Sequence, residues 1–457
     1  MTPGTAPAAA VDRLRDARRL LSRTGPTWLA GAIAAGPATM ASLVVAGATF
    51  GYALLWIVVL SAALGALAQY LAARLCLLTE AGIVSTVETH LGERWAWTLV
   101  ADAVLAAGLA QLVIMKTVAD VSATVTGVDA RAWGVAWAIV LALGLAGGGY
   151  RVAEVGAKLL VSAVVVAFVA SLFVVPTDLG AAAGGLVPRV PAGLDGALVA
   201  AGVLGGAVHV TLITMQSYTM RARGWARGDE GPVRLDVGAS MLVAFGGYSL
   251  AVFLVAASVL HGPDASAGDL TATAAARALG PLVGPAAEWL FLLGLWGAAV
   301  STLGGNTVVP PYLVADKLGW ETEVSDRRYR ALLVAVALLS SLGAFLGGAF
   351  FPLLVLVLAF GLVGTPFAVA IVLVLLNDPE AVPEIAPVRL TFAGGILFAV
   401  AAVTAGSFVH EQAAGGLDDP VSAFVVGFAA VLAAATLVLL GKTARSLTRG
   451  GRRTAAE

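Results

Sequence analysis

Residues able to do chemistry are scarce in this 457-residue chain, and several of them lie inside long apolar runs. Of the four histidines, His90, His261 and His410 fall in loops or at the ends of such runs. His209 alone lies deep within one, "AGVLGGAVHVTLITMQSYTM", just after Gly205-Gly206. An imidazole there can ligate a cation, donate to bound water or carry a proton near neutral pH. It can equally be a satisfied core histidine. A second polar-bordered point is "AIAAGPATMAS", residues 32–42. Pro37 removes a backbone donor and Gly36 weakens the helix, and lipid offers nothing to repair the loss. Thr39 then places a hydroxyl beside the carbonyls freed at Ala34 and Ala35, although bonding back to its own helical turn is the simpler role. Ala35, Gly36, Pro37, Ala38, Thr39, Gly206, Ala207 and His209 are the substrate-binding candidates, with Thr39 and His209 as the candidate metal ligands.

One apolar run carries three charges, Asp102, Lys116 and Asp120. Ionisable groups at membrane depth mark functional sites by default. Lys116 and Asp120 are one helical turn apart and can pair. Extension of Lys116 to the outer interface is the cheaper alternative. Asp102 falls nearer the opposite side, where it can line an inner vestibule. With Gln111 and Asn306 it completes the pathway candidates, although either amide can simply be a helix-packing hydrogen bond.

The elements that must position these residues follow from composition. Hydrophobic residues make up 59% of the chain and charged ones 12%, about half the charge of a soluble protein. Apolar runs of roughly 20 residues recur, each able to cross a ~30 Å hydrocarbon core. None has the two-residue alternation of a membrane barrel strand. Twelve spans are expected near 26–48, 52–73, 95–121, 132–149, 156–175, 195–217, 236–260, 284–309, 330–350, 352–376, 390–409 and 420–441. With both termini cytoplasmic in the cell membrane, the Lys and Arg residues divide 23 inside and 3 outside, with Lys116 within a span. That asymmetry sets the orientation.

The N-terminal stretch does not have the form of a cleavable signal. A single Cys76 excludes an intramolecular disulfide and a cysteine metal cluster. Walker, Rossmann and His-Glu-x-x-His patterns are absent, so neither an enzyme nor a cofactor is expected. The expected partners are a transported ion or small solute and the lipid bilayer, not nucleic acid. The oligomeric state is open.

In many transporters, interrupted helices at matching positions of two inverted repeats form the substrate site. The breaks at Gly36-Pro37 and Gly205–His209 lie five spans apart, which makes spans 1–5 and 6–10 the two repeats. An odd number of spans per repeat inverts one copy against the other. The expected organisation is a basic segment at 1–24 and a transporter core at 25–377, with repeats at about 25–176 and 193–377. Peripheral spans 11 and 12 follow at 388–441, and a basic tail at 442–457.

The segment "GPTWLAGAIAAGPATMASLVVAGATFGYALLWIVVLSAALGALAQYLAARLCLLTEAGI" resembles the first two helices of the Nramp metal-ion transporters. Similarity continues in "GYRVAEVGAKLLVSAVVVAFVASLFVV", "GLVPRVP", "LFLLGLWGAAVSTLGGNTVV" and "TPFAVAIVLVLL", so it covers roughly 25–377. The resemblance implies the LeuT-type inverted-repeat fold, an all-α polytopic membrane protein with two additional C-terminal helices.

The departures are coherent. Where the family has Asp-Pro-Gly-Asn on its first helix, this chain has Gly36-Pro37-Ala38-Thr39. Where it has Met-Pro-His-Asn on its sixth, the chain has Ala207-Val208-His209-Val210. Gly108 and Gln111 stand at the places of the family's acidic proton-relay pair, and Leu358 about where a glutamine is usual. A Mn²⁺ or Fe²⁺ site stripped of its carboxylate and thioether loses what such ions prefer. A branch related to the family carries Mg²⁺ without proton coupling, and the resemblance leans that way. Mg²⁺ keeps several waters, which a polar, weakly charged cavity accommodates. A small organic solute on the same fold is the alternative, because half-helix N-termini suit a carboxylate or a neutral molecule. A non-transporting receptor or scaffold fits the short loops least.

Overall fold

A computed structural model describes residues 36–147, 151–262 and 270–454, and every regular element among them is helical. Ten helical stretches are long and apolar enough to cross a membrane. The first, Pro37–Thr79, holds two expected crossings, Pro37–Phe50 and Leu55–Thr79. They are divided at Gly51, whose φ of +57° favours a residue without a side chain, and by one 3₁₀ turn. The fifth expected crossing is a shorter apolar stretch, Lys158–Ser171. Each of the twelve expected spans therefore has a helical counterpart. The part of span one before Gly36, with Ala34 and Ala35, lies outside the described residues.

Burial separates inner from outer helices. Span six, Leu194–Ala222, has 94% of its most apolar window buried in protein, and span ten, Phe350–Leu376, has 89%. Span four, Ala130–Gly147, and span twelve, Pro420–Arg445, have 22% each. Those two present their apolar side chains outward, as lipid-facing helices must.

Neighbour relations follow the expected repeat. Span one packs against span seven, Arg227–Val259, while span six packs against span two. Span five, Arg151–Ser171, packs against span eight, Ala287–Thr307, while span ten packs against span three, Glu93–Thr126. Adding or subtracting five turns one member of each pairing into the other. Small residues make these contacts close. A Cβ on Gly47 would stand 2.7 Å from the Phe253 carbonyl oxygen, so spans one and seven meet backbone to backbone. Span eleven, Val388–Ala414, packs on spans six and ten. Span twelve joins span ten through stacked Phe360, Phe424 and Phe428, with centroids 5.1–6.2 Å apart.

Hydrogen bonds tie both ends of the bundle. At one, Tyr52 Oη is 2.7 Å from Ser258 Oγ, and the Trp56 amide donates to the Gly185 carbonyl at 2.9 Å. At the other, Tyr218 Oη donates to Asp316 Oδ2 at 2.7 Å, and the Ser85 amide donates to the same oxygen at 3.2 Å. Arg74 pairs there with Glu230 at 2.9 Å, and Lys317 with Glu88 at 2.9 Å.

Candidate functional site

Between these two ends lies a cavity of about 50 Å³ lined by Gly36, Pro37, Ala38 and Thr39 of span one. Gly206, His209, Thr211 and Leu212 of span six close a second wall, with Ala110 and Ile114 of span three, Thr302 and Asn306 of span eight, and Val357 and Leu358 of span ten. At roughly 10–15 Å³ per water by the same kind of measure, it has room for a few waters. Among the described residues no carboxylate, thiolate or thioether lines it.

Each polar group in the wall has a local cause. The span-one helix begins at Pro37, a favoured first helical residue, with Gly36 extended at its N-cap. Across the cavity, span six stays helical through Gly205 and Gly206 and stops at Ala207. The interruption is Val208-His209, later than the glycine pair that suggested it. The glycines serve approach instead. A Cβ on Gly206 would come 2.9 Å from Thr39 Oγ1, and one on Gly205 would collide with the Leu358 carbonyl.

His209 starts the second half of span six. Its Nδ1 accepts from the Thr211 amide at 3.2 Å, an N-cap bond. With Nδ1 spent as acceptor, Nε2 of the neutral ring carries the hydrogen. The ring is 6% exposed and its Nε2 edge rests against Gly361 of span ten, whose missing side chain leaves the space. In this arrangement the neutral ring presents an N–H, not a lone pair, on the side of Gly361. Thr365 Oγ1 donates to the Val208 carbonyl, satisfying the group freed by the interruption.

Asn306 Nδ2 donates to the Ala107 carbonyl at 2.8 Å and to Gln111 Oε1 at 2.9 Å. Both amide hydrogens being used, the side chain has its carbonyl oxygen left to offer. Gln111 turns to span eight, donating to Thr307 Oγ1 at 2.7 Å, and does not line the cavity. The hydroxyls of Thr211 and Thr302 are buried with no hydrogen-bond partner among the described residues. An unmade bond of that kind costs about 1–3 kcal/mol, which water or an ion's hydration shell in the cavity would relieve.

Three other candidates lie elsewhere. Ala207 does not face the cavity: its Cβ stands 2.9 Å from where a Cβ on Gly65 would be, in a cluster with Leu212, Met241 and Phe245. Asp102 is 1% exposed, packs against Gly364 of span ten, and has neither oxygen partnered among the described residues. Lys116 pairs with Asp120 at 3.0 Å as expected, but it does not extend to an interface. It is 5% exposed and donates to the Leu346 carbonyl at 3.0 Å, on the face of span three turned to span nine.

Sequence reasoning missed Thr211, Thr302 and Thr365, and glycines 361 and 364. Thr302 lies one turn before Asn306, so its cavity-facing register was available. Paired glycines three apart in an apolar span were a sign of close approach.

The interrupted span six and the start of the span-one helix at Pro37 face one cavity, inside a bundle of paired inverted contacts, and together they define a polytopic membrane protein with a secondary-transporter fold. The profile of the family described as natural resistance-associated macrophage protein-like (Nramp) matches residues 27–411, and the chain belongs to that family. It is 29% identical over 335 residues to the divalent metal cation transporter MntH of Mycobacterium tuberculosis, covering 69% of this chain and 75% of that one. Its fold is similar to that of a manganese transporter from Eremococcus coleocola, with a TM-score of 0.71, 16% identity, and 98% and 97% of the two chains covered. The nucleobase-cation symporter Mhp1 is more distant, with a TM-score of 0.53 and 15% identity over 90% and 93% of the chains.

Proposed function

We propose that this protein is a secondary transporter for a divalent cation, Mg²⁺-like rather than Mn²⁺ or Fe²⁺, that works without the family's proton relay. The cargo class rests on relatives named as divalent metal cation transporters. The observation that carries the selectivity is the cavity's lining: Thr39, Thr211 and Thr302 hydroxyls and the Asn306 carbonyl, with no carboxylate or thioether among the described residues. Neutral oxygens suit a hard cation that keeps part of its water, and they give Mn²⁺ or Fe²⁺ no soft partner. The small volume speaks against an amino-acid-sized cargo, since organic ligands occupy pockets of several hundred Å³. Gly108 and Gln111, at the places of the acidic relay, carry no titratable proton. The distribution of Lys and Arg supports a cell-membrane orientation with both termini cytoplasmic.

The test is uptake into proteoliposomes holding a Mg²⁺ dye in one set and a pH dye in another. Mg²⁺, Mn²⁺ and a panel of amino acids are each supplied outside. The expected result is Mg²⁺ entry down its gradient with no substrate-dependent acidification. Preference for Mn²⁺, acidification coupled to uptake, or uptake of an amino acid alone would each overturn the proposal.

A further inference from the structure

The central cavity lacks a carboxylate, yet one is held a short distance from it. Span ten presents three consecutive levels on one face. Val357 and Leu358 line the cavity, Gly361 receives the His209 ring, and Gly364 receives the Asp102 carboxylate. Residues three and four apart share a helix face, so these levels form a continuous line. Six residues from Leu358 to Gly364 correspond to about 9 Å, and eight from Ala110 to Asp102 on span three to about 12 Å. Two independent helices thus set Asp102 at a similar depth, on the side proposed above as cytoplasmic.

The surroundings are built around an occupant. A side chain at Gly364 would collide with both carboxylate oxygens, so this level of span ten leaves room for the Asp102 carboxylate. The next residue, Thr365, holds the Val208 carbonyl at the interruption of span six. Asp102 therefore packs one residue from the side chain that serves the break in span six. It is buried, with neither oxygen bonded among the described residues. A packing role needs no carboxylate, and a structural ion pair would show its partner.

We propose that Asp102 is a second cation station, which takes the divalent ion as it leaves the cavity past His209 and delays its release on the inner side. The proposal rests on the divalent-cation reading of the cavity. In the described conformation the His209 ring against Gly361 and the Thr365–Val208 bond close the passage. Movement of the second half of span six opens both at once. The carboxylate supplies the charge that the neutral cavity lacks, one step further along, where it does not compete with loading from outside.

The experiment uses the full chain in proteoliposomes. Half-saturation by Mg²⁺ is measured separately on the two faces for the wild type, Asp102→Asn and Asp102→Glu. Asp102→Asn should leave outer half-saturation within about twofold and weaken inner half-saturation at least tenfold, with Asp102→Glu in between. Equal inner and outer effects, or none, would overturn the station. In parallel, the wild type is treated with dicyclohexylcarbodiimide, which modifies carboxyl groups in apolar surroundings, and Asp102 is followed by mass spectrometry. Mg²⁺, Mn²⁺ or Ca²⁺ should each slow its modification. Modification unaffected by any divalent ion, or absent during turnover, would sink the idea. So would substrate-driven acidification that disappears in Asp102→Asn, which would identify a proton as the occupant. If the wild type carries no divalent ion but one still protects Asp102, the cavity reading fails and the station stands.

Discussion

The imidazole of His209 occupies the space that a side chain at Gly361 would need. The ring that starts the second half of span six thereby seats directly against span ten in this conformation. Gly361→Ala should force the ring out of place. Overpacking of this kind costs about 1–3 kcal/mol. Uptake should fall at least tenfold and the thermal midpoint should drop. Adding His209→Ala should restore much of the lost thermal stability, because the colliding ring is gone. A double variant no more stable than Gly361→Ala alone would show that the contact is not the cause.

Transition-metal affinity should respond to one wall and not the other. Gly36 lines the cavity, so Gly36→Asp supplies the missing carboxylate and should strengthen Mn²⁺ binding by at least tenfold in calorimetry. Ala207→Met should not help, because Ala207 faces Gly65 and Met241. A methionine there should lower stability instead. Tight Mn²⁺ binding by the unmodified protein would contradict this account.

The architecture is legible in the sequence because lipid admits few alternatives. Length, hydropathy and the distribution of Lys and Arg specify helices, their number and an expected orientation before any contact is known. At the cavity, residue type is readable and direction is not. Gly36, Thr39, Gly206, His209 and Asn306 stand out by type and meet in the structure. Ala207 and Gln111 also stand out, but one residue of rotation, about 100° on a helix, turns Ala207 to span two. Gln111 is taken by Asn306 and Thr307. The expected break, Gly205–His209, narrows to Val208-His209 in the structure, although glycine weakens helices. Tertiary packing overrides that weakness, and the chain departs from helix only where Thr365 and the His209 cap can serve the freed groups.

Cys76 provides a reporter for the Asp316 end of the bundle. It is buried, with Sγ 3.5 Å from the Ser217 carbonyl on the second half of span six. Tyr218→Phe removes the bond to Asp316, worth about 0.5–1.5 kcal/mol, or more because the acceptor is a carboxylate. Maleimide labelling of Cys76 should accelerate several-fold in that variant. An unchanged rate would mean that the Tyr218–Asp316 bond does not hold this end shut.

The loop before span nine should respond to acid. Asp326 caps that helix, with Oδ1 accepting from the Arg328 amide at 2.7 Å and Oδ2 paired with the guanidinium at 2.9 Å. These contacts, the Arg328 side chain first, lower its pKa from 3.8 to about 2. A carboxyl whose folded pKa is depressed stabilises above its unfolded value, and that contribution is lost as pH falls through the folded one. Asp326→Asn should therefore be slightly less stable than the parent at pH 7. The difference should persist down to about pH 4 and shrink toward pH 2 in thermal unfolding followed by circular dichroism. A gap that widens on acidification would contradict the assignment.

The neutral lining of the cavity also has an electrical consequence. On the proposed reading, a divalent ion seated in that lining would keep its full double charge, with no cavity carboxylate and no coupled proton to offset it. A membrane voltage acts on any charge that crosses the bilayer. Each elementary charge crossing that field gains about 2.3 kcal/mol per 100 mV, so two charges gain about 4.6 kcal/mol. At roughly 1.4 kcal/mol per decade, that corresponds to more than a thousandfold accumulation at an inside-negative 100 mV. For the cargo proposed, the cell's resting voltage alone would supply the driving force that a proton gradient supplies elsewhere.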